Sequence, residues 1–185
     1  MTPEERFDRA YDAAMQDRQA LITFLNGVTE SQARWRPPDG EWSILEGLEH
    51  VMLTETYMRH NLLRLLRDAA ANDTWDNAPA NPVKMSAKAL RRREQGFVGA
   101  PEELVPQGNC DFQEMQAHLL SDRDTSREAL SAFRQRDLSR LVLPHPKYGQ
   151  RHVYDVIEYS GIHDYLHCEQ MQRVTRSPGY PATGE

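Results

Sequence analysis

Cysteine is scarce: the 185-residue chain has two, Cys110 and Cys168. They form no CxxC pair and are too few for a disulfide framework, so a reducing compartment is the expectation. Long apolar runs are missing. Nothing approaches the roughly 18 apolar residues of a membrane span, and the opening MTPEERFDRA is charged, with no apolar stretch of the kind a secretory signal needs. A basic excess is missing as well: 22 Lys and Arg stand against 28 Asp and Glu, a net charge of −6. General nucleic-acid binding is excluded on that balance, because phosphate contacts need clustered cations. The one dense basic run, Arg91-Arg92-Arg93, reads as a solvated helix face. No repeat at solenoid periods is visible. These absences predict a soluble cytoplasmic protein with neither nucleic acid nor membrane as partner.

What is present is helical periodicity. Composition is ordinary, 39% hydrophobic and 27% charged, and the length suits one domain with a sizeable core. Phe7, Tyr11, Ala14, Leu21, Leu25 and Val28 fall on one stripe of a helix predicted from about Pro3 to Val28. RWRPPDGEW breaks the chain. Ser43 and Glu46 then form a capping-box pattern, in which hydroxyl and carboxylate each satisfy an orphan backbone N–H. That second helix runs to about Ala71. From Asn72 to Asn109 prolines punctuate the chain, with one short helix at about Met85–Gln95. A connection this long is either a functional lid or a surface crossover. Asp111 and Glu114 open a third helix. Its apolar stripe is interrupted by Asp122, Arg123 and Ser126, which predicts either a wet cavity or side chains at the stripe's edge. LPHPKYGQ, from Leu143 to Gln150, reads as a loop, and a fourth helix spans about Arg151 to Thr175. Residues 176–185 read as a loose tail. The expected fold class is therefore all-α: a four-helix bundle over residues 1–175 with a long crossover between helices 2 and 3.

His163 and His167 sit four residues apart in the fourth helix, on one face and one turn apart. Val156, Tyr159, Ser160, Gln170 and Val174 share that face, so both imidazoles lie on the buried stripe. Two adjacent buried imidazoles need several partners, and one divalent metal would satisfy both. Asp164 points about 100° away, so the segment is not an HExxH site. A third ligand would complete a tripod with an open position, the catalytic pattern. His50 is a candidate, with Gly47, Leu53, Thr54, Tyr57 and Asn61 as helical neighbours. Spacing alone does not choose it over His60, His118, His145 or His152.

PPDGEWSILEGLEHV resembles the start of the second helix in the DinB/YfiT-like superfamily of metal-binding four-helix proteins. HPKYGQRHVYDVIEYSGIHDYLHCEQMQRV resembles that superfamily's HP…G loop, its H-x-x-x-H pair and its trailing Gln, and GAPEELVP is similar to the segment before helix 3. The resemblance covers about Phe7 to Val174. It implies His50, His163 and His167 as metal ligands, with Gln170 beside the site, zinc or nickel as the metal, and a homodimer. Tyr57, Gln170 and Arg123 are the candidate contacts for a substrate or cofactor.

Three functions compete. A hydrolase would use metal-bound water, but Glu46 is occupied as a helix cap, and Tyr57 and Tyr159 are poor bases at neutral pH. A carboxylate from residues 72–109 or helix 3 would have to reach the metal. A thiol-dependent S-transferase needs no separate base, because a metal deprotonates a coordinated thiol. The resemblance implies low-molecular-weight thiols as cofactors, and Arg123 or Arg127 could bind an acidic one. Cys168 reads as a packed thiol. The third reading is a non-enzymatic module whose metal stabilises the bundle or its dimer.

Overall fold

Thr2 starts the first helix as the spacing of charges requires: its hydroxyl accepts from the Glu5 N–H at 3.2 Å, and the Glu5 carboxylate accepts from the Thr2 N–H at 2.8 Å. This is a full capping box with Pro3 in the first turn. The structure, a computed structural model, describes residues 1–78, 100–145 and 149–182. Its helices are α1 (Pro3–Leu25), α2 (Glu30–Arg34), α3 (Ile44–Asn72), α4 (Phe112–Ser131) and α5 (Val153–Val174), with a 3-10 turn at Glu102–Leu104. One antiparallel pair, β1 (Val142–His145) and β2 (Gly149–His152), precedes α5. The described residues are thus predominantly helical with one small sheet. Among the described residues, no helix is long and apolar enough to cross a membrane.

Three differences from expectation have local causes. α1 stops at Leu25, and Thr29 opens the separate α2 with its own capping box to Gln32; a reciprocal cap stabilises a helix only five residues long. The stretch read as a loop, Leu143–Gln150, is largely a hairpin in which Leu143 pairs with Arg151 and Pro144 with Gln150. Pro144 and Gly149 disguised it, since both are turn formers in a sequence; here Pro144 sits in an edge strand, where a missing N–H costs little, and Gly149 takes φ 68°. The side chain of Asn77 binds the same strand, donating to the Val142 carbonyl at 3.0 Å and accepting from its N–H at 2.7 Å. Third, the tail docks: Gln32 donates to the Pro181 carbonyl at 3.0 Å, and Tyr180 meets Trp35 edge-on at 5.6 Å. The short helix expected at Met85–Gln95 and the arginine run lie outside the described residues.

The four long helices pack on one another: α1 lies along α5, and α3 contacts both α4 and α5. Gly161 allows α1 and α5 to touch; a Cβ there would lie 2.6 Å from the Ala14 Cα. Most of the apolar core lies in two clusters, with a small third at Tyr159 and Ile162. One gathers Leu21, Leu25, Leu45, Leu48, Phe112 and Met171. The other gathers Phe7, Tyr11, Leu62, Leu66, Leu130 and Val156. Between them along every long helix lies a polar layer. Arg18 of α1 grips Asp164 of α5 through Nε at 2.7 Å and Nη2 at 3.1 Å, and reaches Glu55 of α3 at 3.3 Å. Arg123 of α4 donates to Glu55 at 3.0 Å and to Asp164 at 2.9 Å. All four side chains are buried. Two positive and two negative groups cancel there, which is the condition for burying charge at tolerable cost.

That layer answers the interrupted stripe of α4. Arg123 is consumed by the ionic network, while Asp122 and Ser126 both accept from Arg59, at 2.6 and 3.3 Å. The interruption therefore marks an ion-paired seam between helices.

Candidate metal centre

His50 is buried on the inner face of α3, and His163 and His167 project from successive turns of α5 toward it. The ring centroids lie 5.1 Å apart for His50–His163, 4.6 Å for His50–His167 and 4.4 Å for His163–His167. Each ring offers a nitrogen within 4.8 Å of the others. A tetrahedral ion with bonds of about 2.0–2.1 Å sets its ligands roughly 3.4 Å apart, so modest side-chain rotation closes the trio on an ion. Among the described residues, no Asp, Glu or Cys joins this group.

Hydrogen bonds fix two of the three rings. The Nδ1 of His50 faces the Leu104 carbonyl at 2.7 Å, and a carbonyl can only accept. Nδ1 is therefore the protonated nitrogen, and Nε2 keeps its lone pair. The Nδ1 of His167 likewise faces the Gln170 Oε1 at 2.8 Å. Outer partners of this kind orient metal-binding imidazoles. The protonation state also suits a cation. Burial, then His167 and His50 nearby, hold the His163 pKa well below its usual value. Burial and then His50 lower that of His167 to about 3, against a smaller opposing effect of Gln170. Near neutral pH the rings of His163 and His167 are uncharged bases, and the residues present fit a divalent metal.

The trio opens on a cleft of about 1520 Å³. Trp42, at the end of the PPDGEW break, forms a wall: its ring lies 4.9 Å from His50 and stacks on His167 at 6.3 Å with an interplanar angle of 20°. Thr54 and Tyr57, one and two turns after His50, line the cleft, as do Tyr159 and Gln170. Glu41, Asp68 and Glu169 supply acidic groups to its walls, and Arg64, Arg173 and Arg176 basic ones. Glu169 is engaged by the Tyr165 hydroxyl at 2.6 Å.

Of the candidate residues, His50, His163, His167, Gln170 and Tyr57 come together at this cleft. Arg123 does not: it is 1% exposed within the ionic layer, so its charge is spent on Glu55 and Asp164. Arg127 is also engaged elsewhere, holding Asp8 at 2.7 Å and Asp12 at 3.2 Å on α1. Glu46 is a cap, accepting from the Ser43 N–H at 2.8 Å and from Arg36 at 2.9 Å. Cys168 is buried, and burial pushes its thiol up to about 11, which suits packing and not nucleophilic attack. Sequence reasoning assigned no role to Trp42 or the Leu104 carbonyl. A lone Trp before a capping box was the only signal for the first, and a backbone acceptor leaves none.

The model of the DinB superfamily matches residues 13–171. The chain is 26% identical to the uncharacterized protein YuaE of Bacillus subtilis (strain 168) over 151 residues, 81% of this chain and 87% of YuaE. No solved structure matches the chain.

Proposed function

Because the chain belongs to the DinB superfamily, we propose that it is a metal-dependent enzyme acting on a small molecule, with zinc or nickel held by His50, His163 and His167. In this reading the four long helices form the superfamily's four-helix bundle, joined by a long crossover between α3 and α4, and the protein works as a homodimer. The observation that carries the proposal is the convergence of three imidazoles, each with a nitrogen within 4.8 Å of the others, two of them oriented by an outer acceptor at Nδ1.

When bound, such an ion supplies Lewis acidity and lowers the pKa of a coordinated thiol or water. The chain's own residues do the rest. Leu104 and Gln170 hold the ligand rings in register. Trp42 shields one side of the trio from water, and Tyr57 and Gln170 offer polar contacts to a substrate in the cleft. The first reading of the chemistry is thiol-dependent S-transfer with a low-molecular-weight thiol as cofactor. It is favoured because, among the described residues, no carboxylate joins the three imidazoles, so a ready general base is lacking. Hydrolysis is the second reading, supported by Glu41, which lines the cleft beside Trp42.

The test begins with elemental analysis of the purified, untagged protein beside a His163→Ala/His167→Ala variant. About one equivalent of zinc or nickel in the wild type, lost in the variant, supports the site. No metal in either, after reconstitution of a folded wild type, defeats it. Assays with low-molecular-weight thiols and an electrophile, run on the wild type and Glu41→Gln, then separate the chemistries. S-transfer should be indifferent to Glu41, and hydrolysis should be lost with it.

A further inference from the structure

Glu169 and Arg173 stand one turn apart on α5, with the acid toward the N-terminus, the order in which a helical ion pair is most favourable. They do not pair. Glu169 instead accepts from the Tyr165 hydroxyl at 2.6 Å, and Arg173 is left exposed on the wall of the cleft. Arg176, just past the end of α5, is exposed on the same cleft. Neither guanidinium has a hydrogen-bond or ion-pair partner among the described residues. Exposed arginines elsewhere in this protein do: Arg34 pairs with Glu30, Arg36 with Glu46 and Arg134 with Glu4. Arg64, the third arginine of the cleft, donates to Asn61 at 3.1 Å and has Asp68 one turn along α3.

Position along the helix sets what these arginines reach. Leu166, Glu169 and Arg173 recur at helical spacing, and all three line the cleft, so one stripe of α5 runs from apolar beside the trio to basic at the helix end. Arg173 lies six residues beyond His167, about 9 Å along the axis, and helical side chains lean toward the N-terminus, here toward the trio. Its charge is felt there: burial and then His50 depress the His167 pKa, and Arg173 adds to them. A guanidinium stays charged across the accessible pH range, and its fork of donors matches the oxygens of a carboxylate or phosphate. Both arginines are exposed, so a ligand in the cleft meets them without displacing protein.

We propose that Arg173 and Arg176 bind an acidic group, carboxylate or phosphate, on a small molecule whose other end meets the three histidines. This rests on the metal reading above and adds the class of ligand: an elongated anion whose charge lies up to about 9 Å from its reacting end. Neither arginine is a metal ligand or part of the ionic layer, so their replacement leaves both in place.

The experiment uses the full chain reconstituted with Co(II), whose visible spectrum reports coordination. Co(II) stoichiometry is measured first; failure of the wild type to bind one equivalent rejects the metal reading, and with it this proposal. Three ligands sharing a terminal thiol and a six-carbon chain are then titrated into wild type and Arg173→Gln/Arg176→Gln: mercaptohexanoate, mercaptohexyl phosphate and the neutral mercaptohexanol. We expect the wild type to bind one or both anions roughly tenfold more tightly than the alcohol, as hydrogen bonds between charged groups imply, and the preference to shrink as salt is added. In the variant the preference should vanish, while Co(II) stoichiometry and affinity for mercaptohexanol stay at the wild-type level; a merely structural loss would lower those as well. Preference for mercaptohexanoate identifies a carboxylate ligand, and preference for the phosphate ester a phosphate one. No binding of either anion or no preference for one in the wild type, or a preference that survives in the variant, overturns the proposal.

Discussion

At the residue scale, the centre is governed by atoms one bond removed from any metal. Gln170 accepts the Nδ1–H of His167, and that bond sets both the ring's tautomer and its rotation. Gln170→Leu should preserve the fold and lower metal affinity by about 10–100-fold, read by competition with a chromogenic chelator; an unchanged affinity would remove Gln170 from the site. The same rings predict a pH dependence in the metal-free protein. His167 titrates at about 3 when folded and near 6.5 when unfolded. Between those values the unfolded state binds the extra proton, so stability is fully present above about pH 6.5 and is lost as pH falls toward 3. Urea midpoints of the metal-free protein should therefore decline from pH 7 to 5, and His167→Gln should flatten that decline.

At the scale of elements, the polar layer and one glycine fix how the helices meet. Arg18 bridges α1 to α3 and α5 with every contact buried. Arg18→Met leaves Asp164 and Glu55 short of one cation and should cost about 3–5 kcal/mol by urea unfolding. Gly161→Ala would press a Cβ to 2.6 Å from the Ala14 Cα and 2.8 Å from its carbonyl oxygen. Backbone cannot yield as a side chain can, so destabilisation of at least about 1–3 kcal/mol is expected. Gly47→Ala would meet only the flexible end of Met171 at 3.0 Å and should cost less. These contacts explain what the sequence could and could not reveal. The long helices were legible because their periodicity and caps are local: Thr2, Ser43 and Asp111 each accept from the third residue onward. His163 and His167 were legible as a pair for the same reason. Arg18 and Arg123 were not, because a buried arginine and a solvated one look alike until the partner helices bring Asp164 and Glu55 to it. His50 needed family resemblance, since its approach to α5 depends on helix packing that no spacing within α3 encodes. The hairpin at β1 and β2 was hidden by residues that usually mark turns.

For the whole molecule, the question is whether a metal bound at the proposed site would hold the fold together or work within a fold already made. The trio joins α3 to α5, yet the same two helices are already tied by Arg18, Glu55, Asp164 and Arg123, with apolar clusters on either side. A protein so joined needs no ion to bring its helices together. The metal should act by linkage: at 100–1,000 times its dissociation constant it adds about 2.7–4.1 kcal/mol. At about 2–4 °C per kcal/mol for a chain of this size, that is a rise of roughly 5–16 °C in Tm. The expected outcome of chelation is a lower Tm with helical circular dichroism retained at 25 °C and a single cooperative transition. The His163→Ala/His167→Ala variant should melt at a temperature indifferent to added metal. Loss of helicity on chelation at 25 °C would instead make the ion a structural member of the bundle, and would turn the cleft's open position from a reaction site into an incidental gap.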